Sequence, residues 1–171
     1  GKLLKSYTSL RGRSSAPTRY ALSNPWDLEL VNGRLYIAMA GTHQIAVLNI
    51  AANTIAPYAG TGVEDVRDGS LSKSCLAQPS GLATDGKYLF VVDSEGSSLR
   101  AITLPPGNNV GTLVGTTGLP MFKSLFAFGD RDGRAAAVRL QHPIGVAYAD
   151  GKIYVADTYN HKIKLVDPVA R

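Results

Sequence analysis

The sequence holds a single cysteine, Cys75, among its 171 residues, so no disulfide can form within the chain. With no Cys-x-x-Cys pair, Cys75 reads instead as a small buried apolar residue just before Leu76. Histidine is equally scarce, limited to His43, His142 and His161. No Gly-x-Ser-x-Gly elbow, Walker loop or His-Glu-x-x-His occurs, which removes the sequence signatures of α/β-hydrolases, P-loop enzymes and zincins. No apolar run approaches the length of a membrane-spanning helix. Lys2-Leu3-Leu4-Lys5 is too short for the apolar region of a signal peptide, and Gly1 reads as a cut site or tag remnant. Charged residues make up only 18% of the chain against 44% hydrophobic, a composition that suits one soluble globular domain with a sizeable core.

Acidic residues are missing from one region. Lys2, Lys5, Arg11, Arg13 and Arg19 all precede the first acid, Asp27, and this accounts for the whole net charge of +5. The rest of the chain is electrically balanced. A basic segment of this kind can bind phosphates, but a solvated lead-in explains it equally simply.

Helical periodicity is absent too, and its place is taken by a repeat. The stretch Leu140–Pro168 alternates apolar and polar residues over Ile144–Tyr148, Lys152–Ala156 and Lys162–Val166, with tight turns at Asp150-Gly151 and Asp157–His161. That is a hairpin pattern. Counted from Pro25, Pro79 and Pro143, Leu28, Leu82 and Val146 fall three residues on, and Tyr36, Phe90 and Tyr154 eleven on. Ile45, Leu99 and Ile163 fall twenty on. Repeats of this length stack supersecondary units that bury apolar faces on one another, and all-β units of this kind are propeller blades.

The residues of the third copy, Pro143-Ile144-Gly145-Val146-Ala147 followed by Gly151-Lys152-Ile153-Tyr154-Val155-Ala156-Asp157-Thr158-Tyr159-Asn160-His161, resemble the NHL repeat. Lys162 stands where the family name would put leucine, and the first two copies carry Thr42-His43-Gln44 and Ser97-Ser98-Leu99. Asn24-Pro25-Trp26-Asp27-Leu28, Pro57-Tyr58-Ala59-Gly60-Thr61-Gly62 and Leu140-Gln141-His142-Pro143 are similar to the subgroup in which the propeller is fused to thioredoxin-like domains. The resemblance implies an all-β propeller of four-stranded blades, three in this chain. It further implies that the propeller binds or scaffolds, the redox chemistry belonging to the fused domain. RNA binding, known for some NHL propellers, and a channel-centred lyase or hydrolase, some of whose relatives use a channel metal, are the alternatives.

In chain order, residues 1–20 form the basic lead-in, with one edge strand expected over Lys2–Leu10 and a loop over Arg11–Arg19. Blades follow at about 21–60, 76–115 and 140–168. The insertion Thr117–Phe128, with Met121, Phe122, Leu125, Phe126 and Phe128, is expected to fold over the face of the ring as a helical turn, with an exposed binding lip as the alternative.

The expected ligand face gathers the inter-blade loops and the turns between second and third strands: Asn24, Trp26, Asp27, His43, Gln78, Ser94, His142, Tyr159 and His161. No catalytic residue, cofactor or metal is expected. His43 and His161 occupy equivalent turns of non-adjacent blades and so cannot converge on one ion. Asp93 and Asp157 are expected to accept hydrogen bonds from the turn that follows each. The Asp68-Gly69 and Asp132-Gly133 loops hint at calcium but lack its ligand spacing. The balanced blade charges argue against nucleic acid as partner. Three blades cannot close a ring, so the expected partner is a second copy completing six blades, with the lead-in strand filling the third blade of its neighbour. The alternative is that these blades are half of a longer propeller.

Overall fold

The computed structural model describes residues 1–7, 9–12 and 19–169, and among the described residues the only helices are short 3-10 turns. Two short strands, β1 (Ser9–Gly12) and β2 (Arg19–Ala21), come first. The first blade is β3 (Pro25–Val31), β4 (Arg34–Met39), β5 (Gln44–Asn49) and β6 (Thr54–Ala59). The second is β7 (Pro79–Thr84), β8 (Tyr88–Asp93), β9 (Ser98–Thr103) and β10 (Val110–Val114). The third is β11 (Gly145–Ala149), β12 (Lys152–Asp157) and β13 (Lys162–Val166). Each blade is an antiparallel meander, and the three sheets share no ladder.

The hairpin turns follow from residue chemistry. Asn32-Gly33 and Asp150-Gly151 have positive φ at both positions, 49° with 72° and 50° with 76°. A two-residue turn that matches strand twist demands that pairing, and Asn-Gly and Asp-Gly supply it. Register is then fixed: Leu28 lies opposite Ile37, Leu82 opposite Val91, and Val146 opposite Val155.

The core lies between blades. Tyr36 and Ile45 of the first blade share one buried cluster with Leu82, Leu89 and Val91 of the second. Phe90 and Leu99 of the second share another with Leu140, Ile153 and Val155. Each such side chain removed from water contributes roughly 1.5–3 kcal/mol. Innermost strands approach closely, with the Leu82 N–H donating to Asp27 Oδ2 at 2.8 Å and Ser80 Oγ to Pro143 O at 3.2 Å. Farther out, Tyr58 OH donates to Thr103 O at 2.7 Å.

Two expectations need correction. Lys2–Tyr7 is not a strand; the strand lies later, at Ser9–Gly12, where it runs parallel to β6 with Arg11 opposite Thr54 and pairs antiparallel with β2. The exposed outer edge of β6 offers free backbone groups nearby, and local pairing satisfies them. The loop expected over Arg11–Arg19 lies mostly outside the described residues. The Thr117–Phe128 insertion does form a single 3-10 turn, Lys123–Phe126, yet it does not bury its apolar residues: Leu119, Met121, Phe122, Phe126 and Phe128 are exposed. Among the described residues no helix is long and apolar enough to cross a membrane.

Candidate functional site

The loop face is built from two recurring elements. Between the second and third strands, 3-10 turns at Ala40–Thr42 and Thr158–Asn160 end on His43 and His161, both left-handed with φ of 52° and 55°; Ser97 holds that position in the second blade with φ of 43°. The linkers entering the blades carry Asn24, Gln78 and His142 before a proline, also left-handed, at 46°, 58° and 45°. The two elements meet across each blade boundary. The Gln78 N–H donates to His43 Nδ1 at 3.3 Å, and the His142 N–H donates to Ser97 Oγ at 3.3 Å.

A glutamate stands at each of these joints. Gln78 Nε2 donates to Glu64 Oε1 at 3.1 Å, with His43 Nδ1 3.9 Å from the same oxygen. His142 Nε2 lies 3.4 Å from Glu95 Oε2.

Beneath the face lies a set of charges that the sequence pattern did not single out. Arg100, wholly buried, donates through NH1 to Asp93 Oδ2 at 2.9 Å and Cys75 O at 3.0 Å. Through NH2 it donates to Asp68 Oδ1 at 2.9 Å and Arg67 O at 3.1 Å. The third blade repeats the plan. Lys164 Nζ donates to Asp132 and Asp130, both at 2.9 Å, and lies 3.7 Å from Asp157 Oδ2. The Asp-Gly loops are therefore latches that carry a carboxylate to the third-strand cation of the next blade, and their oxygens are engaged there. Repeat alignment was the available signal: Arg100 and Lys164 fall twenty-one residues after Pro79 and Pro143, where the first blade has Ala46.

Asp93 and Asp157 also differ from expectation in their backbone donors. Each binds the linker entering its own blade, through the Ala77 N–H at 2.7 Å and the Gln141 N–H at 2.7 Å. The turn after β12 contributes only the side chain of Asn160, which donates to Asp157 at 2.8 Å and to Gly129 O at 2.7 Å. Burial pushes the Asp93 carboxyl up to about 6, against the downward pull of Arg100 and the Ala77 N–H. Burial disfavours the Lys164 ammonium, yet the hydrogen bonds to Asp132 and Asp130 outweigh it and hold Lys164 above the usual range. Asp130, hydrogen-bonded to Lys162 and Lys164, sits below the usual carboxylate range.

The nine residues expected to form the ligand face divide. His142 and Tyr159 come together as stacked rings with centroids 4.5 Å apart, and Phe128 adds a third ring 6.0 Å from His142. His43 and Gln78 meet at the joint described. Asn24, Trp26 and His161 are exposed but separate from that ladder. Asp27 turns between the inner strands to accept the Leu82 N–H, and Ser94 is buried with its N–H donated to Gln78 O at 3.2 Å, so neither is presented on the face. The insertion, expected to cover the ring with an exposed lip as the alternative, is exposed. The exposed residues Leu119, Met121, Phe122, Phe126 and Phe128 line its turn, anchored where the Phe122 N–H donates to the buried Asp65 at 3.3 Å. Cys75 is buried, with Arg67 donating to its sulfur at 2.9 Å and Thr61 Oγ1 3.1 Å away.

Among the described residues no group of three or more His, Cys, Asp or Glu is placed to hold a metal ion. The arrangement supplies rings and apolar surface on the face, with Arg100, Asp93, Lys164 and Asp157 engaged in joints below.

Residues 140–164 match the NHL repeat family model. The chain is 45% identical over 161 residues to Protein SUPPRESSOR OF QUENCHING 1, chloroplastic, of Arabidopsis thaliana, a match covering 90% of this chain and 15% of that one. It is 42% identical over 173 residues to NHL repeat-containing protein 2 of Homo sapiens, covering 86% of this chain and 23% of that one. The chain thus spans less than a quarter of either relative. Among solved structures, an auxiliary nutrient binding protein from Bacteroides thetaiotaomicron superposes with a TM-score of 0.64 at 18% identity, over 92% of this chain and 42% of that one. Repeat, relatives and blade architecture agree on β-propeller blades of the NHL type in this chain.

Proposed function

We propose that the chain is a non-catalytic binding and scaffolding module that holds its partner on the loop face, against the lip formed by the Thr117–Phe128 insertion and the neighbouring ring ladder. The observation that carries this reading is the exposure of Leu119, Met121, Phe122, Phe126 and Phe128 on one turn, continued by Phe128, His142 and Tyr159. Exposed apolar residues gathered on one loop, rather than scattered, mark an interaction surface. The buried Asp65 carboxylate fixes the turn through the Phe122 N–H, so the lip is shaped before a partner arrives, and less ordering entropy opposes association. The ligand chemistry it fits is an apolar anchor, Leu, Phe or Trp, on a peptide segment.

The charge distribution opposes nucleic acid. Arg100 is buried, and Lys152, Lys162 and Lys164 are paired with Asp167, Asp130 and Asp132. These four cations are therefore not free to contact a phosphate backbone.

Titrating a panel of fluorescent peptides with single Leu, Phe or Trp anchors tests the reading. Binding is expected for a subset, weakened about tenfold or more by Phe126→Ser or Phe128→Ser, since each removes an exposed ring that the partner would bury. The melting temperature should hold. A panel without binders, or binders indifferent to both substitutions, would refute it.

A further inference from the structure

The chain holds three sulfur atoms, in Met39, Cys75 and Met121. All three residues lie among the described ones, and the fold treats them differently. Met39 is wholly buried in the core of the first blade. Cys75 is wholly buried too, with Arg67 and Thr61 Oγ1 against its sulfur. Met121 alone is exposed, to 53%, on the insertion between the second and third blades. An oxidant that attacks sulfur from solvent therefore meets Met121 first.

The turn that carries Met121 is held in one shape. The Lys123 N–H donates to Pro120 O at 2.9 Å and closes a turn over Met121 and Phe122. Phe122 sits at φ 67° and ψ −8°, the third-residue geometry of a type II turn, which glycine ordinarily fills. A phenylalanine there is strained, and such strain persists only where neighbouring contacts fix the backbone. Asp65, buried, is the fixing contact: it accepts the Phe122 N–H at 3.3 Å and the Val66 N–H at 2.8 Å. On the other side the Ala127 N–H donates to Ser124 O at 3.1 Å, and Thr116 Oγ1 donates to Ala127 O at 3.4 Å. Met121 is thus presented between exposed Leu119 and exposed Phe122 on a braced turn.

Methionine differs from its neighbours on the lip in one chemical respect. Leu119, Phe122, Phe126 and Phe128 carry no group that a peroxide readily attacks, whereas a thioether takes up one oxygen to become a sulfoxide. Hydrogen peroxide supplies that oxygen. The sulfur–oxygen bond forms as the oxygen–oxygen bond breaks, sulfur loses two electrons, and both peroxide hydrogens leave in water. The product is polar where the thioether was apolar. Pressed into an apolar contact without a donor to meet it, the new oxygen opposes burial.

We propose that Met121 is an oxidation site that switches the lip from apolar to polar, so that peroxide releases an apolar partner and reduction of the sulfoxide restores it. The consequence for binding rests on the loop-face reading above; the oxidation site does not.

Brief treatment of the 171-residue chain with hydrogen peroxide, followed by peptide mapping in a mass spectrometer, tests the site. One oxygen is expected, on Met121, taken up about as fast as by a short methionine peptide. Met39 and Cys75 should stay unmodified, with circular dichroism showing the sheets intact. Fluorescence of anilinonaphthalene sulfonate then reads the surface, and the oxidised chain should bind less of this dye. Methionine sulfoxide reductases for both epimers, driven by a dithiol, should restore the signal. Met121→Leu, whatever its starting signal, should give the same value before and after peroxide. Anchor peptides that bind the untreated chain should bind the oxidised one about fivefold or more weakly, and peroxide should leave their affinity for Met121→Leu unchanged. Oxygen uptake at Met39 or Cys75 ahead of Met121 would overturn the site. A sulfoxide at Met121 that alters neither dye nor peptide binding would overturn the switch. A panel in which no peptide binds would refute the loop-face reading alone, with mapping and dye signal still deciding the oxidation site.

Discussion

Replacing Arg100 with methionine should be among the most damaging single changes in the molecule. The guanidinium is fully buried and makes four hydrogen bonds, to Asp93, Asp68 and the carbonyls of Cys75 and Arg67. Without it, Asp93 keeps only the Ala77 N–H and the Asn160-type support of the third blade has no counterpart there, since Gly96 stands in that place. Removing one partner of a buried ion pair costs about 3–5 kcal/mol. Against a total stability of about 5–15 kcal/mol, that is a large fraction. The loss is bounded because Asp93 can take up a proton. Arg100 is what holds that carboxyl down at about 6, so in the variant it rises further and the buried charge is neutralised. The first blade shows how to relieve the fault, with apolar Met39 and Ala46 in the equivalent places. Asp93→Leu combined with Arg100→Met should therefore recover about 1–2 kcal/mol relative to Arg100→Met alone. Urea denaturation followed by circular dichroism, with Trp26 fluorescence as a second probe, measures all of these. A loss below about 1 kcal/mol for Arg100→Met, or a double variant as unstable as the sum of its singles, would refute the joint as an interdependent unit.

Three further outcomes are expected. Because burial raises Asp93 from 3.8 to about 6, the folded state binds this proton more tightly than the unfolded chain; the stabilisation is complete below the unfolded value and is lost as pH rises through 6. Wild-type stability relative to Asp93→Asn should thus increase on acidification from about pH 7.5 to 4, by an amount on the order of 2–3 kcal/mol, and a flat difference in urea titrations would contradict it. Asp157→Ala leaves the half-buried Gln141 N–H without its acceptor and should lower stability by roughly 1–3 kcal/mol, measurable by thermal melting, while peptide affinity at the lip stays unchanged. Gly81→Ala should cost about 1–3 kcal/mol, because a Cβ there would lie 2.6 Å from Ile144 O of the neighbouring inner strand; a neutral melting temperature would show that the second and third blades are not in tight register.

Periodicity fixed most of the architecture before any coordinates. Alternation over Tyr36–Ala38, Phe90–Val92 and Tyr154–Ala156, with Asn-Gly and Asp-Gly turns, determines strands because side-chain period and turn conformation are local properties. The blade strands accordingly fall within a residue or two of their expected positions. The equivalence of His43, Ser97 and His161 was likewise legible, as was the burial of Cys75. What the linear pattern did not reveal arises between segments far apart in the chain. Arg100 meets Asp68 only because a connecting loop crosses to the next blade, and an arginine in a strand carries no local mark of a buried partner. The insertion was apolar enough to suggest covering, yet whether a loop's phenylalanines find a surface depends on the ring around it, and here Phe126 stays outside. The same holds for the lead-in: its sequence suits an edge strand anywhere, and tertiary pairing placed the strand at Ser9–Gly12 beside β6 rather than over Lys2–Leu10. Local chemistry decides what each segment can be, and the packing of blades decides which of its groups remain free to bind.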